Sequence, residues 1–353
     1  MGLLVTPLKF SIAVLAMVVG LALSASAQSD RRLLQKTSLD FDNATIGDVL
    51  KDLAERHKLT LAVSPEVQKS GFDQRKVVIQ ADGLTLGSAL SCLARCSGAV
   101  CILEKGELKV VTREVEEQSL YPATYSMAGW GSLFGDAGTF KTCLYDATGG
   151  LWKEVDGEGG SVGDFTPQGV IVEQNRETHA EIRQLLADIA NQAGGRKPTP
   201  AAADRVGMRI AQALQRPLKL GTQELPLPEF CKQILGDQKI GWQIDVTGLT
   251  DEGIAADEVP VKIPGDKTPV GKILGESLKS HKLAFWIVDE VVFVTTQGSA
   301  DQMQTARVYN VGKRLNPMVT MTGLMQQLQG NPELGPWEQV DGEGGAMFPL
   351  GPL

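Results

Sequence analysis

The chain has 353 residues, enough for about two domains of ordinary size. With 42% hydrophobic and 22% charged residues, its composition suits packed cores and excludes a disordered chain. The net charge of −8, with no Lys/Arg-rich stripe, excludes nucleic acid as the main partner, because phosphate binding requires clustered cations.

The N-terminus reads as an export signal. Lys9 supplies a short positive region, Ile12 to Leu23 is an apolar run broken only by small residues, and Ser24-Ala25-Ser26-Ala27 is an A-x-A type cleavage site. Cleavage is expected after Ala27, so that residues 1–27 form a signal peptide and the mature chain begins at Gln28. The apolar run of about 12 residues falls short of the roughly 20 needed to cross a bilayer, so no stable membrane span is expected after cleavage. The expected location is the periplasm or another exported compartment, where disulfides are permitted.

Residues 36–114 read as a first α/β unit. Leu39-Asp40-Phe41 opens as a short strand, and Thr45 is an N-cap candidate for a helix with Ile46, Val49, Leu50 and Leu53 on one face. Leu59 to Val63 alternates as a half-buried strand. A Pro/Gly-containing connection leads to the β-branched strand Lys76 to Ile79. Thr85 caps a second helix through Leu86, Ala89, Leu90 and Leu93. Ala99 to Leu103 and Leu108 to Val111 form a hairpin around Glu104-Lys105-Gly106-Glu107. Of the five cysteines, Cys92 and Cys96 fall four apart on the second helix and Cys101 on the following strand, so a disulfide drawn from these three is compatible with export. Cys143 and Cys231 complete the set, and no His or second Cys pair sits at zinc-ligand spacing.

Residues 118–190 form a second part. It contains Trp152-Lys153-Glu154-Val155-Asp156-Gly157-Glu158-Gly159-Gly160, a hairpin from Ser161 to Phe165 and Gly169 to Val172, and a helix through Ile182, Leu185, Leu186 and Ile189. Gly129-Trp130-Gly131 and Gly135-Asp136-Ala137-Gly138 are too irregular for a phosphate loop and read as a flexible loop. Residues 191–215 comprise a polar linker and a helix beginning at Ala201.

The same order of elements then returns in residues 216–298. Leu218-Lys219-Leu220 reads as a strand, Leu227, Phe230 and Ile234 as a helix face, and Trp242 to Val246 as an alternating strand. Val259 to Ile263 is a strand that Pro260 assigns to an edge. Val270, Ile273, Leu274 and Leu278 follow Thr268 on a helix, and Leu283 to Val288 and Val291 to Thr295 form a hairpin through Asp289-Glu290. Residues 304–353 repeat the Trp motif as Trp337-Glu338-Gln339-Val340-Asp341-Gly342-Glu343-Gly344-Gly345. Trp152 and Trp337 are 185 apart and Leu86 and Val270 are 184 apart, which points to an internal duplication. The second copy reads to Leu353 without the final hairpin strand and helix, so either the sequence is cut short or the unit is incomplete; an incomplete unit would expose a sheet edge for strand addition.

The expected fold is α+β, with small mixed sheets and two helices per unit, tandemly duplicated. Leu39-Asp40-Phe41, Thr45-Ile46-Gly47-Asp48-Val49-Leu50, Leu59 to Pro65 and Leu84-Thr85-Leu86-Gly87-Ser88-Ala89-Leu90 together resemble the secretin and TonB short N-terminal domain. The Trp-containing part looks like the secretin N-domain-like tail that follows it in planctomycete-type exported proteins. The resemblance implies an envelope location and contact with another protein. Neither family's membrane barrel is read in these residues, so the chain is not expected to be itself a channel.

Asp156/Glu158 and Asp341/Glu343 are repeated carboxylate pairs, open to reading as acid/base pairs or calcium ligands, or as members of a Gly-rich turn. Trp152 and Trp337 either pack on a helix or form an exposed platform for carbohydrate or peptide. His57, His179 and His281 fall on helices or their ends and join no nucleophile motif. The expected function is a non-catalytic, cofactor-free envelope adaptor with an unidentified protein partner and self-association as a further outcome. The alternatives are a cell-wall glycan or peptide binder and, more remotely, an exported hydrolase.

Overall fold

The computed structural model describes residues 31–126, 134, 136–166, 169–193, 202–218, 221–263, 268–303, 306, 308–311, 320–331 and 347. The signal peptide, Gly129 to Gly131, Trp337, Asp341 and Glu343 lie outside the described residues. The strands and helices form a mixed α+β fold. In chain order they are β1 (Lys36–Thr45), α1 (Ile46–Arg56), β2 (Thr60–Val63), α2 (Pro65–Lys69), β3 (Lys76–Thr85), α3 (Leu86–Arg95), β4 (Ala99–Glu104), β5 (Glu107–Thr112) and α4 (Arg113–Gln118). Next come β6 (Tyr121–Tyr125), α5 (Ala137–Ala147), α6 (Lys153–Asp156), β7 (Ser161–Thr166), β8 (Gly169–Gln174), α7 (Arg176–Ala193) and α8 (Ala202–Leu214). The chain continues with β9 (Gln223–Pro226), α9 (Leu227–Cys231), β10 (Trp242–Ile244), α10 (Val246–Asp251), β11 (Pro260–Ile263), α11 (Val270–Lys279), β12 (Leu283–Val288), β13 (Val291–Thr296), α12 (Gln297–Asp301) and α13 (Met321–Gln329).

Two compact units divide the chain: Ser29–Val115 with Thr199–Gln304, and Glu116–Pro198 with Thr305–Leu353, to which Met1–Gln28 is also assigned. The first, here the sheet unit, contains both segments read as short N-terminal-like copies. Local sequence explains its helices. Thr45 and Thr85 accept from the backbone N–H of Asp48 and Ser88, which satisfies one otherwise unpaired donor at each helix start. Ile46, Val49, Leu50 and Leu53 are buried on α1, and Leu86, Ala89, Leu90 and Leu93 on α3. β1 runs from Lys36 to Thr45, well beyond the expected Leu39-Asp40-Phe41, because its whole length pairs with β3. α2 occupies the connection expected to be irregular, with Ser64 as its cap and Pro65 at its first position.

The two segments share one pairing scheme, down to the register. Leu61 stands opposite Leu108 in the parallel β2–β5 pair, and Trp242 opposite Val292 in the parallel β10–β13 pair, offsets of 181 and 184. Ala99 faces Thr112 and Leu283 faces Thr296, both offset by 184. Thr45 faces Lys76 and Pro226 faces Pro260, again offset by 181 and 184. Positive-φ residues obey the same offsets: Lys58 and Lys239, Gly98 and Lys282, Lys105 and Asp289, Gly106 and Glu290. Those positions are turns that L-residues rarely adopt, so their recurrence is an independent match of backbone shape.

The segments differ in their partners. β3 pairs antiparallel with β10, which joins them in one five-stranded sheet ordered β1-β3-β10-β13-β12. β2-β5-β4 and β9-β11 remain separate small sheets. One reading changes as a result. Trp242 to Val246 is not a half-exposed strand: Trp242, Gln243 and Ile244 are all buried, because β10 is central in its sheet and α3 covers the Gln243 side. Of the strand expected at Leu218-Lys219-Leu220, Lys219 and Leu220 lie outside the described residues; β9, which follows, leads directly into α9 as β1 leads into α1. Pro260 does sit on an edge, since β11 belongs to a two-stranded sheet. α8 contributes Ile210, Ala213 and Leu214 to the core of the second segment.

The second unit, here the motif unit, carries the antiparallel sheet β6-β8-β7. Tyr125, Val162, Val170 and Val172 of the sheet pack with Phe140 and Leu144 of α5 and with Ile182, Leu185 and Ile189 of α7. Part of the expected flexible loop is a helix start: Asp136 accepts from Thr139 N–H at 2.8 Å and opens α5. Gly138, a poor helix former, hides this start from composition alone.

Candidate functional site

The Trp152 motif folds as a tight loop against β8. Trp152 N–H donates to Asp156 Oδ2 at 2.7 Å, Lys153 N–H to Gly160 O at 2.8 Å, and Gly160 N–H to Leu151 O at 2.9 Å. Gln174 Nε2 also reaches Leu151 O, at 2.7 Å. Gly157 and Gly159 have φ of 82° and 94°, and a Cβ on Gly159 would lie 2.3 Å from Leu151 O. Gly160 is equally constrained, since its Cβ would meet Glu173 O at 2.3 Å. Backbone approach requires Gly159 and Gly160, whereas Gly157 has open space around it and is favoured by its positive φ alone.

The motif side chains have structural roles. The Trp152 ring is 1% exposed, packs 5.1 Å from the Tyr145 ring, and donates through Nε1 to Thr148 Oγ1 at 3.3 Å. It is therefore not an exposed platform for carbohydrate or peptide. Asp156 is held by the Trp152 amide, and Glu158 is exposed. That arrangement matches a Gly-rich turn, in which the first carboxylate closes the loop. Among the described residues, no group of three or more His, Cys, Asp or Glu is placed to hold a metal ion.

A buried polar cluster ties β6 to α7. His179 Nε2 lies 2.7 Å from Tyr121 O, a carbonyl that only accepts, so Nε2 carries the proton. Nδ1 then accepts from Tyr125 Oη at 2.8 Å. Burial lowers the His179 pKa, and burial pushes Tyr125 up to about 12. The neutral imidazole is the form that fits. The unfolded chain takes up a proton near the ordinary histidine value of about 6.5, before the folded chain does, so stability falls as pH drops below that value. We expect the melting temperature of the motif unit to decline between pH 7.5 and 5.5, and His179→Gln to remove much of that slope. Parallel slopes in the two proteins would contradict the assignment. Comparing the variants isolates the histidine from Glu181, whose carboxyl is raised by burial.

A cluster of polar contacts lies where the two segments of the sheet unit meet. The β12–β13 turn places Asp289 and Glu290 at φ of 50° and 66°. Asp289 pairs with Arg95 of α3. Glu290 accepts from Thr85 N–H at 3.1 Å and lies 3.5 Å from Lys36 Nζ. Gln243 Nε2 enters α3, 3.0 Å from Cys92 O and 3.1 Å from Cys96 Sγ. All five cysteines are free thiols, so the disulfide considered among Cys92, Cys96 and Cys101 is not formed. The reason is local: the two helical thiols face the second segment, Cys92 toward Asp289 O and Cys96 toward Gln243. Burial raises the pKa of both and pushes Cys101 up to about 12, which leaves them protonated and unreactive. Sequence reasoning missed this junction; the acidic pair at a tight turn, where Asn-Gly is usual, was its available signal.

An open groove of about 460 Å³ lies between β11 and α11, lined by Lys262, Glu276, Ser277, Ser280 and His281. By the offset of 184, Glu276 and Ser280 correspond to Cys92 and Cys96. The groove is thus the polar counterpart of the one that β10 fills in the first segment. No helix among the described residues is long and apolar enough to cross a membrane. No protein-family model and no curated protein matches the chain.

Proposed function

We propose that the protein is an exported, non-catalytic interaction module, an envelope adaptor or assembly component, that contains two diverged copies of a unit related to secretin and TonB short N-terminal domains. The shared register of the two segments is the observation that carries the reading, because it makes them variants of one architecture whose strand edges pair. The conspicuous motif residues support it by serving the fold: Trp152 fills a core and Asp156 closes a loop. The glycan-binding alternative loses its expected platform at Trp152. The reading is tested by affinity capture from native envelope extract with tagged residues 28–353, followed by mass spectrometry. Specific recovery of an envelope protein is the expected result. Reproducible substrate turnover lost on Asp156→Asn would overturn it.

A further inference from the structure

The five-stranded sheet contains a strand acceptor whose counterpart in the first segment has no strand on it. β10 accepts β3 along one edge, with Trp242, Gln243 and Ile244 opposite Gln80, Ile79 and Val78. Leu61, Ala62 and Val63 of β2 hold the same register positions against β5 that those three hold against β13. β2 nevertheless ends its sheet, and these residues are partly exposed where their counterparts are buried. The N–H groups of Thr60 and Ser64 point toward the β5 side, donating to Gly106 O and Val110 O at 2.9 Å each. Alternation along a strand then turns the N–H groups of Leu61 and Val63 outward. Gln68 Nε2 touches the outward Val63 carbonyl at 3.4 Å, a long contact that an added strand can displace.

The rims of the two acceptors differ in sign. In the second segment the turn is Asp289-Glu290, and it clasps Arg95, Lys36 and the Thr85 amide. The same turn in the first segment is Lys105-Gly106, and Phe293 is replaced by Lys109. Arg32 lies against this turn, since a Cβ on Gly106 would come 2.9 Å from its Nη1. Glu104 and Glu107 are each 3.5 Å from Lys109 Nζ, and the exposed Lys105 stands at the position from which Asp289 meets Arg95 in the second segment.

We propose that the β2 edge accepts an extended segment of a partner protein, added antiparallel as β3 is added to β10, with carboxylates beside the Lys105 turn. The inference rests on the interaction-module reading and specifies its site and the charge of its partner. Main-chain bonds to Leu61 and Val63 supply the affinity, and the rim selects an acidic flank. A second copy of this chain is the poorer occupant. Its β11 edge would bring Lys279, the counterpart of Arg95, against Lys105, a like-charge contact. Ser277 Oγ already donates to Lys262 O on that edge at 2.6 Å.

The test uses residues 28–353 and two fluorescent ten-residue peptides of alternating Val and Thr, one flanked by Glu and one by Lys. Anisotropy is expected to show the Glu-flanked peptide binding at least ~10-fold more tightly, with slowed hydrogen exchange at the Leu61 and Val63 amides. Leu61→Pro removes an outward donor, leaves the β5 ladder, and is expected to abolish binding. Lys105→Glu, on the exposed turn, is expected to reverse the charge preference, and it decides the matter if Leu61→Pro lowers the melting temperature. Equal binding of both peptides, or unchanged preference in Lys105→Glu, overturns the inference. Concentration-dependent self-association that Leu61→Pro removes would make a second copy the occupant and overturn it too. Capture of the same envelope protein by wild-type and Leu61→Pro baits would overturn this site while leaving the interaction-module reading intact.

Discussion

Trp152→Ala is expected to destabilise the motif unit by about 3–5 kcal/mol, the usual cost of emptying a fully buried aromatic site. The ring is 1% exposed and sits in a core with Phe140, Leu144, Val172 and Ile182, so its removal leaves a cavity with little means of collapse. Hydrogen exchange gives the clearest readout: the amides of Val170 and Val172 should exchange faster, while those of Val292 and Val294 in the sheet unit keep their protection. Gly159→Ala is expected to act on the same unit by another route. Its Cβ would overlap Leu151 O at 2.3 Å on a backbone at φ of 94°, so the loop must open and release Trp152. A Trp152→Ala protein with unchanged protection across β8 would contradict the structural role of the motif.

Ile244→Ala should cost about 2–5 kcal/mol, whereas Val63→Ala, at the same register position, should cost about 1 kcal/mol. Ile244 is fully buried on a strand with neighbours on both sides, β3 and β13. Val63 is partly exposed on a strand that ends its sheet. The loss at Ile244 should also spread to the first segment, since Val78 and Ile244 are paired across the junction and share one core cluster. Denaturant unfolding followed by exchange at Val77 and Ile79 would measure it. Faster exchange in both segments after Ile244→Ala, and little change after Val63→Ala, is the expected pattern. Equal losses from the two substitutions would mean that the shared sheet does not couple the segments.

The parts of the fold legible in the sequence are those governed by neighbours in the chain. Thr45 and Thr85 were readable as caps because a hydroxyl next to an apolar i, i+3, i+4 series satisfies the first amides of a helix. The β4–β5 and β12–β13 hairpins were readable because short connections force antiparallel pairing. The Trp152 loop was readable as a turn because clustered glycines report positive φ and close backbone approach.

The pairing of β3 with β10 was not legible, because nothing local distinguishes an edge that meets another strand from one that meets water. Gln243 shows why: a polar residue between two apolar ones reads as a solvent-facing position, yet it is fully buried against Cys92 and Cys96. The acidic turn and the thiols were visible as residue types, but only folding set Asp289 beside Arg95 and kept the thiols from pairing with one another. Sequence alone thus settled helix faces, caps and turns. Tertiary packing decided which of two equivalent strand edges was covered, because burial depends on residues some 160 positions away in the chain, as in the pairing of Gln80 with Trp242.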